Sequence, residues 1–264
     1  MLVRSWNLFH GNTLPPGRRR YVEQMVRRIC ADDPLIVCLQ EVPPFALPHL
    51  ERWGGRPSVG DIAMRPRIPG LLGVKLTDLH SGFIRSGVEG QANAMLLGHG
   101  IELLQHEILV LNPRSFRRRE ADRLSLDWRA RLAWALERRI CQALRLRLAD
   151  GQVLLAANVH ATSYLDKRVP DAELLRAATF VDALAHPGEP VILGGDFNVT
   201  TVSSPTLRAL SGPEWRFSQA GPGLDHVLVR GLRVVEGERH WPDERRRQGT
   251  VLLSDHAPVE VIVE

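Results

Sequence analysis

Short apolar runs recur along the chain and predict a strand-rich fold. Each run is a few residues long and rich in Val, Leu, Ile or Ala, as is typical of strands. Pro- and Gly-rich stretches at 53–70, 186–190 and 211–223 are of loop size. The predicted strands are residues 2–6, 35–39, 92–97, 103–111, 140–148, 153–159, 191–193, 224–229 and 258–263.

Two consecutive runs predict a hairpin and the burial of its faces. The run 153–159 carries almost no polar side chain, which predicts a strand buried on both faces. The run before it alternates leucine with arginine from Leu144 to Leu148, which predicts one solvated face. Asp150-Gly151 lies between the two runs and is a turn signal typical of hairpins.

Helical periodicity is clearest in two segments. Residues 18–30 place apolar side chains on one side and arginines elsewhere, and residues 171–184 follow Pro170 with leucines at helical spacing. Segment 125–137 is either a third helix or a long loop that holds Trp128 and Trp134. Many strands, few helices and a hairpin predict an α/β sandwich rather than a doubly wound sheet.

Composition predicts one globular domain over residues 1–264, because neither a repeat nor a low-complexity linker divides the chain. No run approaches the ~20 apolar residues that span a bilayer. The N-terminus is apolar for only a few residues, which predicts a first strand rather than a signal peptide, and a cytoplasmic protein. Cys30, Cys38 and Cys141 form no CxxC pair, so we expect buried thiols rather than disulfides.

The charge leaves the binding partner open. The net charge is +4, and nearly all the positive charge is arginine, which suits bidentate phosphate contacts. Arginines cluster at 18–20, 27–28, 117–119 and 245–247. These clusters are typical of a polyanion-binding surface, and equally of an ordinary solvated surface.

Six segments place a polar or acidic residue at the end of an apolar run, where a scaffold presents reactive groups. Taken singly, each has a structural explanation: Asn7 as a turn cap, Glu41 as a surface acid, His160 as an interior histidine. The segments are Ser5-Trp6-Asn7, Leu39-Gln40-Glu41, Asn158-Val159-His160, Gly194-Gly195-Asp196-Phe197-Asn198, Leu224-Asp225-His226 and Ser254-Asp255-His256-Ala257-Pro258.

The ordered set WN, QE, NVH, GDFN, LDHV and SDHAP resembles the signature of the endonuclease/exonuclease/phosphatase superfamily, the fold group of DNase I. The resemblance covers the chain from Asn7 to His256, and GDFN followed by SDH is its most specific part. It implies a DNase I-like, four-layer α/β sandwich, in which two packed mixed β-sheets are flanked by helices.

The residues and the resemblance both indicate a hard divalent cation. Glu41 offers a carboxylate and Asn7 a carbonyl oxygen, and such oxygen ligands without cysteine select Mg²⁺ or Mn²⁺. The resemblance implies that Glu41 is the principal metal ligand, that Asn7 supports the site, and that Asp255 helps to bind the metal or its waters.

The resemblance also implies the catalytic groups. Asp196 is expected to orient or deprotonate the attacking water, with Asn198 as its partner in holding water and phosphate. His160 and His256 are expected to contact the scissile phosphate. Asp225 is expected to hydrogen-bond His256 and to favour its imidazolium form. No role is assigned to His226.

Substrate contacts are less well defined. Many nucleases of the superfamily have a tyrosine in a mid-chain segment that here, at residues 86–94, has none. Asn93, Arg85 and Arg139 are the candidates for substrate binding. Some members pair the mid-chain histidine with a glutamate, and Glu89 is the candidate for such a contact with His160.

The expected activity is metal-dependent hydrolysis of phosphodiester bonds, with nucleic acid as the first substrate class. The alternative is an enzyme of the same fold that acts on a phospholipid, an inositol phosphate or another small phosphate ester. A lipid-directed member is expected to expose an aromatic or apolar element, for which loop-like positions at Trp53, Trp215 and Phe217 are the only hints. A non-catalytic binding module is disfavoured because Glu41 and Asp196 are both present. Oligomeric state is left open.

Overall fold

The computed structural model describes residues 1–17, 19–66 and 88–264. Helices in these ranges are α1 Val22–Ile29, α2 Leu50–Gly54, α3 Arg114–Arg123, α4 Trp128–Leu136, α5 Arg168–Leu184 and α6 Pro205–Leu210. Strands are β1 Leu2–Asn7, β2 Thr13–Leu14, β3 Ile36–Val42, β4 Ser58–Met64, β5 Gln91–Leu97, β6 Glu102–Val110, β7 Ile140–Arg147, β8 Val153–His160, β9 Val191–Asp196, β10 Asp225–Arg230, β11 Val234–His240, β12 Arg247–Gln248, β13 Val251–Leu253 and β14 Val259–Val263.

Two mixed sheets carry the fold. One has the strand order β11-β14-β1-β3-β5-β4, and the other has the order β10-β9-β8-β7-β6. Each contains one parallel pair, β1 with β3 and β8 with β9, and its other pairs are antiparallel. A small third sheet joins β12, β13 and β2.

Three apolar layers hold the sheets and helices together. Side chains of both sheets, such as Ile36 and Met95 facing Leu146 and Ile192, form the layer between the sheets. Helix α1 packs on the outer face of the six-stranded sheet, and α5 and α6 pack on the outer face of the five-stranded one. The predicted four-layer α/β sandwich is therefore confirmed.

All nine predicted strands are present, with their ends shifted by a few residues. Every residue of β8 after the first is buried, and β7 alternates buried Leu146 with exposed Arg147, as predicted. The hairpin turn closes with the Gly151 amide donating to the Leu148 carbonyl. Segment 125–137 is helical: the Asp127 side chain caps α4 by accepting the Ala130 amide.

Several of the elements that the pattern missed are exposed or highly charged. Strand β4 lies inside the Pro/Gly-rich stretch 53–70, and β11 is a largely exposed edge strand without regular alternation. Helix α3 buries only Phe116 and Ala121 among its many arginines. The first predicted helix begins at Val22 rather than at 18, and the second begins earlier, at Arg168, because proline is tolerated in a first helical turn.

The three cysteines are buried and free of disulfides, as predicted. In the described ranges, every helix is too short or too polar to cross a bilayer.

A group of polar contacts centred on Asn158 crosses the apolar interface between the sheets. The fully buried Asn158 of β8 donates from Nδ2 to the carbonyls of Leu39, at 2.9 Å, and Ala94, at 3.0 Å, in the opposite sheet. Its Oδ1 accepts a hydrogen bond from the side-chain amide of Gln40 at 2.7 Å, and this amide also donates to the Ser5 hydroxyl. Buried polar groups are stable only when paired, so this contact fixes one position of β8 against β3 and β5.

We expect Asn158→Ala to lower the free energy of unfolding by about 2–4 kcal/mol, because two carbonyls and the Gln40 amide lose partners in a dry interface. Urea denaturation measures this change. The control is Gln152→Ala, which removes an exposed amide from the adjoining hairpin and is expected to cost less than about 0.5 kcal/mol. Equal stabilities of the two variants would contradict the role of Asn158.

Candidate active site

The predicted site residues meet at one edge of the sandwich because strand ends meet there. The parallel pairs β1/β3 and β8/β9 end at this edge, and β10 begins at it. In the five-stranded sheet, Asp196 lies in register with both His160 and Asp225. The close approach of β9 to β8 requires glycine at 195, where a Cβ atom would lie 1.9 Å from the Val159 carbonyl oxygen.

Unusual backbone turns aim several of these side chains. Glu41, Asn198 and Ser254 have positive φ angles of 50°, 54° and 62°, which non-glycine residues adopt rarely. The pairing of β3 with β5 is irregular between Leu39 and Val42, so Glu41 lies on a distorted strand end. Backbone strain of this kind clusters at functional sites, which supports a role for the residues it positions.

Asp196 is held by neutral donors. One of its carboxylate oxygens accepts a hydrogen bond from Nδ2 of Asn7 at 3.0 Å, and the other accepts one from the backbone amide of Asn198 at 3.0 Å. Asn198 is fixed in turn by donating to the Ala161 carbonyl. Asp196 is almost completely buried, and its carboxylate faces two imidazoles: Nε2 of His160 at 3.8 Å and Nε2 of His256 at 3.9 Å.

The two histidines have opposite electrostatic environments. Nδ1 of His256 donates to Asp225 at 2.6 Å, and although burial disfavours the imidazolium, Asp225 and Asp196 hold the His256 pKa well above its usual range. Burial holds the pKa of His160 well below its usual range, and Arg139, with Nη1 2.6 Å from His160 Nε2, adds to this effect. These shifts favour the imidazolium form of His256 and the neutral form of His160 on either side of one carboxylate.

The loop that carries His256 is fastened to the first strand. The Trp6 indole donates to the His256 carbonyl at 2.9 Å, and Ser254 Oγ donates to the Asn7 carbonyl at 2.7 Å. Trp6 itself is fully buried. The WN and SDH segments thus form one structural unit, although they lie at opposite ends of the sequence.

Glu41 lies at the centre of the cluster. Its carboxylate oxygens are 3.5 Å from Nε2 of His10 and 3.7 Å from Nε2 of His160. Burial raises the pKa of Glu41 to about 7, and the carboxylates of Asp255 and Asp196 add to this rise, while Arg139 opposes it. A divalent cation would relieve this crowding of carboxylates, so the donor set fits a hard metal ion.

Two groups of ligand atoms are available for a metal, and they differ in suitability. Ligand atoms of Asp196, Asp225 and His256 lie within 4.8 Å of one another. However, the short hydrogen bond between Nδ1 of His256 and one oxygen of Asp225 favours the imidazolium form of His256, which cannot ligate. Glu41, with the more exposed Asp255, therefore fits a cation better. Asn7 lies beside Asp196, and its Oδ1 accepts the Phe9 amide, so metal support by Asn7 stays a prediction.

The cluster opens into a cavity of about 600 Å³. Glu41, Arg139, Asp196, Asn198, Asp255 and His256 line it, together with residues that the sequence analysis missed. No strand-end signal marks these, because they belong to loops and to the end of α4. They are Phe9, His10, Pro16, Ala133, Leu136, Glu137, Thr162, Ser163 and Tyr164.

Some candidates lie elsewhere. Asn93 is buried between the sheets, 3.4 Å from the carbonyls of Ile140 and Asn158, and does not line the cavity. The contact suggested between Glu89 and His160 is not formed: Glu89 pairs with Arg20, and Arg139 lies beside His160 instead. Arg85 lies outside the described residues.

His226, which had no assigned role, is a structural residue. It is fully buried, with Nδ1 3.1 Å from Glu238 and Nε2 3.2 Å from the Val199 carbonyl. Its ring also packs against Phe197. His226 therefore supports the turn after β9 rather than lining the cavity.

A model of the endonuclease/exonuclease/phosphatase family matches residues 5–256. The chain belongs to this family. A UPF0294 protein of Vibrio cholerae is 33% identical over 129 residues, which are 44% of this chain and 42% of that protein, so the match spans less than half of the relative. A protein of unknown function from Enterococcus faecalis superposes with a TM-score of 0.68 at 14% identity, covering 100% of this chain and 99% of its own. A mannosyl-6-phosphatase of Bacteroides thetaiotaomicron gives 0.64 at 17% identity, with coverage of 100% and 99%.

The Asp225–His256 contact predicts a defined kinetic effect. We expect Asp225→Asn to lower kcat by about 10²-fold with little change in KM, because His256 loses the carboxylate that favours its cationic, donating form. The measurement is steady-state hydrolysis of bis-p-nitrophenyl phosphate at saturating metal. Asp150→Asn, in the exposed hairpin turn, is the control. An unchanged kcat would make Asp225 a structural residue only.

Proposed function

We propose that this protein is a divalent-metal-dependent phosphoesterase that hydrolyses phosphodiester bonds by in-line attack of water. Members of its family are hydrolases that act on phosphate esters. The observation that carries the proposal is the placement of the Asp196 carboxylate between the imidazoles of His160 and His256, with Glu41 beside His160.

Each group has a distinct task in this reaction. Asp196 orients the attacking water and accepts its proton, because its carboxylate is held by neutral donors and lies at the cavity. His256 donates a hydrogen bond to a phosphoryl oxygen from Nε2, while Nδ1 stays bonded to Asp225. Arg139 adds positive charge beside His160, where negative charge develops in the transition state.

Glu41 and Asp255 are the residues that would hold Mg²⁺ or Mn²⁺. The bound ion would neutralise phosphoryl charge and stabilise the leaving oxygen. Asn198 keeps Asp196 in position through the backbone amide that it donates. The donor set contains no cysteine, in agreement with a hard cation rather than zinc.

The arginine clusters are the feature that favours nucleic acid, the first substrate class expected from the sequence. In two of the four clusters, 27–28 and 245–247, ion pairs and carbonyl contacts weaken that support. Arg27 binds Glu23, Arg28 donates to the Arg247 carbonyl and to Gln248, and Arg245 binds Asp32 and Glu260. Such arginines stabilise the fold and leave less positive charge free to follow a phosphate backbone.

The rim of the cavity supports the second class, an ester with an apolar portion. Phe9, Pro16 and Tyr164 line the cavity, and so does Leu136, whose side chain is half exposed. A phospholipid or another amphiphilic phosphodiester would bury this surface, whereas a nucleic acid backbone would leave much of it in water.

We expect Glu41→Gln to abolish most metal-dependent hydrolysis of bis-p-nitrophenyl phosphate, by about 10²-fold or more, because the neutral amide is a poor ligand for a hard cation. Calorimetric titration with Mn²⁺ is expected to show weaker binding by the variant. Glu107→Gln, on exposed strand β6, is the control. Full wild-type activity in excess EDTA would refute the metal requirement.

A substrate panel tests the ester class. Dispersed short-chain phospholipids, inositol phosphates, single- and double-stranded DNA, and RNA are each incubated with Mg²⁺ or Mn²⁺, and in parallel with EDTA. We expect metal-dependent cleavage to be fastest with the phospholipid, because its apolar chains cover the rim. Cleavage of oligonucleotides alone would restore nucleic acid as the substrate.

A further inference from the structure

The outer face of helix α4 is an exposed apolar stripe. Trp128, Leu132 and Leu136 are 68%, 55% and 52% exposed and lie four residues apart, so they share one side of the helix. The inner face of α4 is packed against the protein. Ala130 and Trp134 lie in a small core with α3 and α5, and the Trp134 indole donates a hydrogen bond to Glu173 at 2.6 Å. The stripe is not part of this core, and exposed apolar surface of this kind marks an interaction site.

Helix α4 differs in composition from an ordinary surface helix. Only Arg129 and Arg131 are polar among its nine residues. A surface helix normally has one apolar and one polar face, and a helix that is apolar on both faces needs a second apolar neighbour. Within the described part of the chain, the stripe has no such neighbour.

Four arginines lie next to the stripe, and two of them lack an acidic partner among the described residues. A pocket of about 230 Å³ between α3 and α4 is lined by Arg114, Arg117, Arg118 and Arg131. Arg131 binds Asp122, and Arg117 donates to the Asn112 carbonyl. Arg114 and Arg118 have no acidic partner among the described residues. This pocket fits an anionic headgroup.

Much of the protein's charge excess is concentrated in this helical hairpin. Residues 114–136 contain seven arginines and three acidic residues. The net positive charge of this segment therefore equals that of the whole chain, which is +4. An apolar stripe beside a basic pocket matches the surface of an anionic bilayer, which offers both acyl chains and negative headgroups.

The stripe leads into the candidate active site. Leu136, its last member, and Ala133, one turn before it, line the catalytic cavity together with Glu137. Tyr164 lines the same cavity, and its neighbour Leu165 is 95% exposed. A surface that bound the stripe would therefore lie against the mouth of the cavity.

We propose that the outer face of α4, with the arginine pocket beside it, binds the surface of an anionic phospholipid bilayer. The cavity is then held over the headgroups, and the substrate is a phosphate ester presented by the membrane. The substrate part of this inference rests on the phosphoesterase function proposed above; the docking part does not.

A bilayer accounts for the stripe better than other occupants. Aliphatic Leu132 and Leu136 gain little against nucleic acid, where stacking on aromatic rings supplies the apolar contribution. A second copy of this chain would bring its own arginines against Arg114 and Arg118, and like charges would oppose such a dimer.

The test is co-sedimentation of the full chain with phosphatidylcholine vesicles, with and without phosphatidylglycerol. We expect binding that requires phosphatidylglycerol and weakens with salt. Trp128→Ser with Leu132→Ser is expected to reduce partitioning on the order of tenfold or more, because two apolar anchors are lost. Arg114→Gln with Arg118→Gln is expected to reduce it about tenfold through the lost charge.

Matched controls separate docking from general surface effects. Val202→Ser removes an 89% exposed apolar side chain elsewhere, and Arg27→Gln with Arg233→Gln removes two exposed charges from other elements. Both controls are expected to bind vesicles as the wild type does. Hydrolysis of bis-p-nitrophenyl phosphate without vesicles is expected to be unchanged in every variant, since none of these residues lines the catalytic cavity.

Four outcomes would overturn the proposal. They are no wild-type binding to phosphatidylglycerol vesicles, equal binding by the stripe variant and the wild type, loss of oligonucleotide binding instead of vesicle binding in that variant, and a dimer that the stripe variant dissociates without any vesicle binding. Vesicle binding by a protein that does not hydrolyse bis-p-nitrophenyl phosphate would leave docking intact and refute the phosphoesterase function instead.

Discussion

The Asn158 side chain holds the two sheets at a fixed offset, and the site depends on that offset. Its contacts reach the carbonyls of Leu39 and Ala94 and the amide of Gln40, all in the opposite sheet. His160 follows Asn158 by two residues, and Glu41 follows Gln40 by one. A shift of one sheet over the other would separate the Glu41 carboxylate from the His160 imidazole, whereas apolar packing alone specifies such a position weakly.

Sequence patterns predicted the fold well wherever burial was nearly complete. Strands such as β8 and β9 are apolar over most of their length because both faces are covered, so their composition alone reveals them. Strand β11 and helix α3 were not predicted because most of their side chains face solvent. At such positions, many different residues are compatible with the same backbone conformation. The arginine clusters were ambiguous for a related reason: the partners of Arg28 and Arg245 are distant in sequence and become visible only in three dimensions.

The candidate site was predictable to the extent that strand ends supply it. Asp196, His160 and Asp225 come together because their strands are neighbours in one sheet. The sequence could not show which residue of a motif belongs to the candidate site and which supports the fold: in NVH, the histidine contacts the candidate site and the asparagine joins the sheets. Nor could it indicate His10 or Tyr164, because loops bring these residues to the cavity without a periodic signal.

The pairing of β1 with β14, reinforced by the contact of Trp6 with the His256 carbonyl, has a consequence for how the protein is made. A ribosome releases β1 long before residue 256 is synthesised, so the first strand waits for its partner while about 250 further residues are added. Contacts so distant along the chain form slowly and late. A nascent chain therefore carries Asn7, Glu41 and Asp196 before it carries His256, and the candidate site is complete only after the loop with His256 has joined β1.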